Sequence, residues 1–295
     1  MTSPASPFAF VDGALDRAEH LRLDETRLAA LWPDARLLLL DAQGNALADD
    51  HGPLPATGAS RGEREADAVL LGLDGDMRAW FAVAVDPHAA DAAKRIDLRT
   101  AAATWHVREA TAFAQARAVL HWRARHRFCG ACGSVLRYER AGWLGHCKQC
   151  GIEHYPRTDP AVIVAVTDGE RLLLGRQSNW PARRYSTLAG FVEPGETLEQ
   201  TVVREVFEES SVRVRSCRYL ASQPWPFPSS LMLGFVADAE PDEPRANEEL
   251  EDARWFTRDE IGAALRGETK HEGLLLSPRL SISRWLIECW YASQA

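Results

Sequence analysis

The chain has 295 residues, 46% of them hydrophobic, enough for more than one buried core and long for a single domain. Its 34 Lys and Arg against 42 Asp and Glu give a formal net charge of −8, which argues against extended, sequence-blind binding to nucleic acid but not against recognition of one nucleotide. No apolar run approaches a membrane span, and the opening residues lack the basic and apolar regions of a secretory signal, so the reading is a cytoplasmic protein.

Residues 1–125 carry no catalytic pattern. "RLLLLDAQGNAL" and "AVLLGLDGDMRAWFAVAVD" each read as two strands around a glycine-containing turn, and the alanine-rich stretch from Asp91 to Arg127 reads as helical. This predicts an N-terminal α+β domain. Its basic tail, "HWRARHRF", reads as a solvated face.

Four of the six cysteines then fall in "CGAC" (Cys129, Cys132) and "CKQC" (Cys147, Cys150), 14 residues apart; Cys217 and Cys289 stand alone. Two such knuckles aim four thiolates at one point, the tetrahedral shell that suits Zn²⁺. Because protein fills all four positions, no water can react there, and the expected zinc, one per chain, is structural. The intervening "GSVLRYERAGWLGH" alternates as a hairpin does, which predicts a zinc ribbon over residues 126–156.

Residues 157–295 begin with "DPAVIVAVTDGERLLLGRQ", a strand, an Asp-Gly turn and a second strand. A helix follows over 198–210, with Thr197 as N-cap and Gln200 completing a capping box. Strands in "RVRSCRYL" and "LMLGFVAD", an acidic loop "EPDEPRANEELED", and helices over 258–266 and 281–291 complete an α/β/α sandwich, making the whole chain α+β.

The glutamates of the first of these helices occupy an unusual place. At 100° per residue Leu198, Val202, Val203 and Val206 form the apolar stripe, and Glu205 and Glu209 lie within about 20° of Leu198. Glu208 sits beside Arg204. Carboxylates that are partly desolvated, mutually repelling and near a helix C-terminus need positive charge, and Arg204 supplies only one. Mg²⁺ or Mn²⁺, hard cations that bridge to substrate phosphates, would supply the rest.

The stretch from Gly190 to Val212 resembles the Nudix box, G-x5-E-x7-R-E-U-x-E-E-x-G-U, with Gly190, Glu196, Arg204, Glu205, Val206, Glu208, Glu209 and Val212 in place and Ser211 standing where the family has Gly. "SQPWPFPSSLM" downstream, together with the four-cysteine segment, is similar to the NADH pyrophosphatase branch of that family. The resemblance implies that Arg204, Glu205, Glu208 and Glu209 are catalytic, that Glu205, Glu209, Glu249 and the Ala189 carbonyl bind the catalytic metal, and that Glu208 or Glu209 is the general base.

It further implies that Gln223, Pro224, Trp225, Pro226, Phe227, Pro228, Ser229 and Ser230 form a substrate-binding loop whose aromatics are held stiffly by prolines. Tyr155 and Phe191 resemble positions that sandwich a ring, Arg99 a substrate-contacting arginine, and Ser283 a small residue near the nucleotide. The implied activity is hydrolysis of the pyrophosphate of NADH or NAD⁺ to AMP and nicotinamide mononucleotide by a homodimer, with removal of NAD caps from RNA 5′ ends a related activity. The rival readings are a Nudix hydrolase of ADP-ribose or another sugar nucleotide, and an inactive zinc-ribbon RNA-binding module.

Overall fold

The unbroken apolar runs of the N-terminal region are strands buried on both faces. In the computed structural model, which describes residues 8–86, 94–268 and 273–293, Ala9–Thr158 with Trp225–Ser229 forms one compact unit, and Asp159–Pro224 with Ser230–Ala295 another.

In the first unit a short helix α1 (Glu25–Leu31), capped by the Asp24 carboxylate, precedes two antiparallel pairs, β1 (Arg36–Leu40) with β2 (Ala46–Ala48) and β3 (Val69–Leu73) with β4 (Ala79–Ala84). β1 joins the pairs by running parallel to β4, and β5 (Lys94–Ile96) adds to β2, giving the order β3-β4-β1-β2-β5. Leu38, Leu40, Leu71 and Trp80 pack on Leu98 of α2 (Leu98–Thr104) and on Phe113 and Trp122 of α3 (Val107–Arg125). Their neighbours Leu37, Leu39, Leu70 and Phe81 point to the other face, onto Leu28 and Trp32. A sheet covered on both sides has no polar alternation to show, which is why "RLLLL" and "AWFAVA" read as continuous runs.

Two expectations change here. Asp91 lies outside the described residues, Lys94–Ile96 is strand rather than helix, and the rest is broken at Trp105–His106. The break has local causes: Asp97 accepts from the Arg99 and Thr100 amides to start α2, and the His106 ring accepts from the Arg108 amide to start α3. Nor is the basic tail uniformly solvated. The Arg123 side chain is only 8% exposed and donates to the carbonyl and the carboxylate of Asp67, both at 2.6 Å.

After α3, β6 (Arg137–Glu139), β7 (Leu144–His146) and β8 (Glu153–His154) form the three-stranded sheet of the cysteine segment, its hairpin where the alternation placed it. Tyr138 donates to the His126 carbonyl at 2.6 Å and Trp143 to the Leu70 carbonyl at 2.7 Å, so the segment is bonded to the α3 end and to the β3 backbone.

The second unit is built on β9 (Asp159–Thr167), which pairs with three strands. β10 (Leu172–Arg176) takes the end of one edge; after the short β11 (Arg184–Tyr185), β12 (Leu188–Phe191) takes the rest of that edge. Helix α4 (Leu198–Ser210) follows, then the hairpin β13 (Val214–Trp225) and β14 (Ser230–Ala239), with β14 parallel to β9 on its other edge. β15 (Asp252–Phe256) closes on β10, and α5 (Arg258–Arg266), β16 (Leu275–Leu276) and α6 (Ile282–Ala292) end the chain. Val162, Val164 and Val166 meet Val202 and Val206 of α4. On the opposite face the Trp290 ring N–H of α6 reaches the Thr167 hydroxyl at 3.0 Å. Helices on the two faces of one sheet make the expected α/β/α sandwich.

Helix α4 has the predicted bounds and capping box: the Thr197 amide donates to Gln200 Oε1 at 2.8 Å and the Gln200 amide to Thr197 Oγ1 at 3.2 Å. Val203 departs from the predicted stripe and is 46% exposed. Just past the helix, Ser211 is left-handed, at φ 60° and ψ 14°. A Cβ there costs about 1 kcal/mol that glycine avoids. Ser211→Gly is therefore expected to raise the unfolding free energy by up to about 1 kcal/mol, measured by urea denaturation, with turnover unchanged; a less stable variant would show that the serine hydroxyl matters more than the backbone strain.

Candidate active site

The site begins with a glycine. Gly190 in β12 lies under the Glu205 side chain, so closely that a Cβ added to it would stand 1.8 Å from the Glu205 carboxyl carbon. The obstructing atoms are the far end of a flexible side chain, so the fold can survive a larger residue there while the carboxylate cannot keep its place. Gly190→Ala is expected to lower kcat by about 10²-fold, the scale on which a 1 Å misplacement acts, with the melting temperature nearly unchanged. Normal turnover in that variant would mean that the position of Glu205 is unimportant.

Arg204, at the middle of α4, organises the charges. Its Nε and Nη2 donate to Glu196 at 2.6 and 2.9 Å, its Nη1 to Glu205 and Glu208 at 2.9 Å each, and Nη2 also to the Phe191 carbonyl at 2.9 Å. The paired guanidinium holds Glu196 well below the usual carboxylate range, at about 2. Glu196 also accepts from the Glu193 amide and the Thr201 hydroxyl. The loop before the helix, the end of β12 and the helix are thus fastened through one cation. The motif includes Glu196 without assigning it a role; because it lies in the loop before the N-cap Thr197, helical periodicity does not relate it to Arg204, and only the fold shows the pairing.

Glu205, at the inner edge of this network, and Glu209, outside it, are more buried. Burial raises Glu205 above its ordinary value against the pull of Arg204, with Glu208 and Glu249 adding to the rise. Glu209 is 5% exposed, and burial, then the neighbouring charges of Glu205 and Glu249, push it up to about 8, opposed only by a hydrogen bond from the Ala189 amide. Its Oε2 is buried with no hydrogen-bond partner among the described residues. A buried carboxyl oxygen without a donor, beside two further carboxylates, has the chemistry that suits a cation. Glu249 is on the exposed acidic loop, its amide bonded to the Asn247 side chain at 2.9 Å. The residues present therefore fit a divalent metal, although among the described residues only the cysteines already stand at ligand spacing from one another.

Those cysteines place their sulfurs within 4.8 Å of one another, Cys129 to Cys150 at 3.6 Å and Cys132 to Cys147 at 3.4 Å, close to the separation of about 3.8 Å that tetrahedral Zn–S bonds of 2.3 Å require. The knuckles match each other: the Gly133 amide bonds to the Cys129 carbonyl, the Gly151 amide to the Cys147 carbonyl, and both glycines are left-handed, at φ 74° and 76°. A side chain at either position would strain the turn that aims the thiolates.

The remaining predicted residues scatter by role. Gln223 is fully buried, its amide bonded to the Leu280 carbonyl at 2.8 Å and its Oε1 accepting from the Ile282 amide at 2.8 Å, which ties β13 to the start of α6. Ser283 is 1% exposed, and its hydroxyl meets Ser186, the Thr187 amide and the Thr187 hydroxyl. Tyr155 and Phe191 are exposed, at 55% and 58%. Trp225 and Phe227 lie 4.9 Å apart at 57°, with the Arg99 guanidinium 4.0 Å over Phe227. Phe227 also packs on the core of the N-terminal unit and Pro226 is buried, while Pro224 and Pro228 stay exposed and Ser229 and Ser230 are half-buried.

The NUDIX domain family matches residues 157–276, the NADH pyrophosphatase-like rudimentary NUDIX domain residues 25–122, and the NADH pyrophosphatase zinc ribbon domain residues 124–155. The chain is similar to the NAD-capped RNA hydrolase NudC of Mycobacterium bovis, with 40% identity over 95% of this chain and 93% of that one. It is also similar to the human NAD-capped RNA hydrolase NUDT12, with 41% identity over 72% of this chain and 50% of that one. A solved NUDIX hydrolase from Nitrosomonas europaea aligns with 51% of this chain and 96% of its own at 25% identity and a TM-score of 0.41. With all three domain families present in order and a relative matched nearly end to end, the chain belongs to the Nudix hydrolases of the NADH pyrophosphatase type.

Proposed function

We propose that this protein hydrolyses the pyrophosphate bond of NADH and NAD⁺, releasing AMP and a nicotinamide mononucleotide, and removes the same dinucleotide cap from RNA 5′ ends. The observation that carries hydrolysis is the Glu209 carboxylate, buried beside Glu205 with an oxygen that has no hydrogen-bond partner among the described residues. The choice of a dinucleotide rests on the paired Trp225 and Phe227 rings and on the likeness to NAD-capped RNA hydrolases.

Glu205, Glu209, Glu249 and the Ala189 carbonyl would hold Mg²⁺ or Mn²⁺. Such ions, when bound, neutralise the phosphates and lower the pKa of an attacking water. The protein's own residues do the rest. Arg204 fixes Glu205 and Glu208 in place. Glu208 or Glu209 takes the proton as the water oxygen bonds to phosphorus and the bridging P–O bond breaks, its electrons leaving with the second phosphate. Exposed rings such as Tyr155 and Phe191 offer stacking worth about 1–3 kcal/mol per base. The working form is read as a cytoplasmic homodimer of chains divided at 1–125, 126–156 and 157–295, the cysteine segment holding one structural zinc.

Purified protein assayed with Mg²⁺ or Mn²⁺ against NADH, NAD⁺, NAD-capped RNA and ADP-ribose tests this reading. AMP release from the first three, with ADP-ribose slower, is expected. Preferred hydrolysis of ADP-ribose would replace the reading with a sugar-nucleotide one, and inactivity on all four with the RNA-binding one.

A further inference from the structure

The basic tail of α3 has a use that the pyrophosphate reading leaves open. Arg117, His121 and Arg125 stand at i, i+4 and i+8, on one side of the helix, and line a pocket of about 170 Å³ closed opposite by Gln43 and Gly44 of the β1–β2 turn. Its one carboxylate, Asp41, is engaged within the turn, accepting from the Gln43 and Asn45 amides, with Arg95 at 3.5 Å. No ion pair holds Arg117 or Arg125 among the described residues. Arg117 instead donates to the Pro226 carbonyl and lies 5.1 Å from the Phe227 ring, so the pocket opens beside the tip of the aromatic loop.

We propose that this pocket binds a phosphate group of the nucleotide strand that continues from the dinucleotide of a capped RNA. The identity of that strand rests on the function proposed above; phosphate binding does not. Two arginines with no ion-paired carboxylate among the described residues form a local positive field in a chain of net charge −8, with the His121 imidazole beside them, and a phosphate oxygen is the acceptor suited to guanidinium donors. The volume admits a phosphate with several waters at about 30 Å³ each. Burial, then the charges of Arg125, Arg117 and His126, holds the His121 imidazole below its ordinary value; an anion among these cations would relieve that repulsion.

The test titrates the whole protein, free of divalent metal, with inorganic phosphate, AMP and a short NAD-capped single-stranded RNA, following the His121 ring by NMR. Each phosphate-bearing probe that binds should raise the His121 pKa. Arg125→Gln should weaken RNA binding about 3- to 10-fold regardless of sequence and reduce the slope of log affinity against log salt by about 0.7, with NADH turnover unchanged. If Arg125→Gln weakens phosphate and AMP but not the RNA, phosphate binding stands and its source is the free nucleotide. A His121 ring unmoved by all three probes, or an Arg125→Gln variant that binds them as the wild type does, overturns the proposal. Absence of NADH hydrolysis by the wild type would overturn the functional reading alone, because the titration requires no catalysis.

Discussion

Glu209→Gln should lower kcat by on the order of 10²-fold or more while leaving a protein that is more stable than the wild type when metal is absent and the pH is alkaline. The two effects share one cause. In the folded chain Glu209 is raised to about 8 by burial and by Glu205, whereas in the unfolded chain it titrates near 4.5. Below the unfolded value both states hold the proton and the group contributes nothing. As pH rises from about 4.5 to 8 the unfolded state ionises first, so the wild type loses stability across that window and stays destabilised above it. Glutamine carries no charge and escapes this loss, which the size of the shift puts at a few kcal/mol, to order of magnitude. Thermal melts of metal-free wild type and variant from pH 5 to 9 should converge at the acid end and separate toward the alkaline end. Mn²⁺ should raise the melting temperature of the wild type and move the variant much less. Parallel melting curves, or near-normal turnover in the variant, would remove Glu209 from the metal site.

Cys147→Ser should abolish zinc binding and destabilise the chain more than any other single substitution considered. The segment around it has a small apolar interior: Cys129, Leu136 and Cys147 form its buried cluster, and Leu144 and Ala141 are also buried. Its sheet is three strands of two or three residues each. A unit of that size needs a metal in place of a core, and structural zinc contributes roughly 10–16 kcal/mol of apparent binding free energy in isolated fingers. The loss should spread, because Trp143 and Tyr138 bond the segment to β3 and to the end of α3. Elemental analysis should find one zinc per wild-type chain and none in the variant, with a melting temperature lower by 10 °C or more, on the order expected for a loss of several kcal/mol. A zinc-free variant of wild-type stability would show that the cysteines serve something other than a metal.

What the sequence disclosed was what short-range rules govern. Thr197 and Gln200 marked the start of α4 because a capping box is local chemistry, and the four cysteines disclosed their cluster because knuckle spacing is local geometry. The position of Glu209 on the apolar side of its helix followed from periodicity, and so its burial was foreseeable. The errors share a different origin. The stretch from Asp91 was read as one helix because alanine favours helices everywhere, while the strand Lys94–Ile96 exists only through pairing with β2, a partner distant in sequence. Val203 was counted into the apolar stripe, but hydrophobicity does not say how wide a stripe the sheet beneath can cover. The burial of Arg123 is hidden from the sequence because its partner Asp67 lies 56 residues away. Apart from these errors, the hydrogen bonds of Gln223 and Ser283 with α6, the Thr187 backbone and neighbouring hydroxyls are legible only in the packing, because their partners are distant in sequence.

The parallel pairing of β14 with β9 has a kinetic meaning. Ser230 pairs with Asp159 and Asp238 with Thr167, so β10, β12, α4 and β13 all lie in the chain that must be looped out before those two strands can meet. Closing so long a loop is entropically slow, and the local β9–β10 and β13–β14 pairings that can form first offset only part of that cost. Before that pair forms, the valine face of α4 has only part of its floor and the glutamates above it have no fixed separation. The α4 glutamates are therefore expected to reach their fixed separation only after this long-range pairing, whereas the zinc knuckles, formed from residues near in sequence, can close before it.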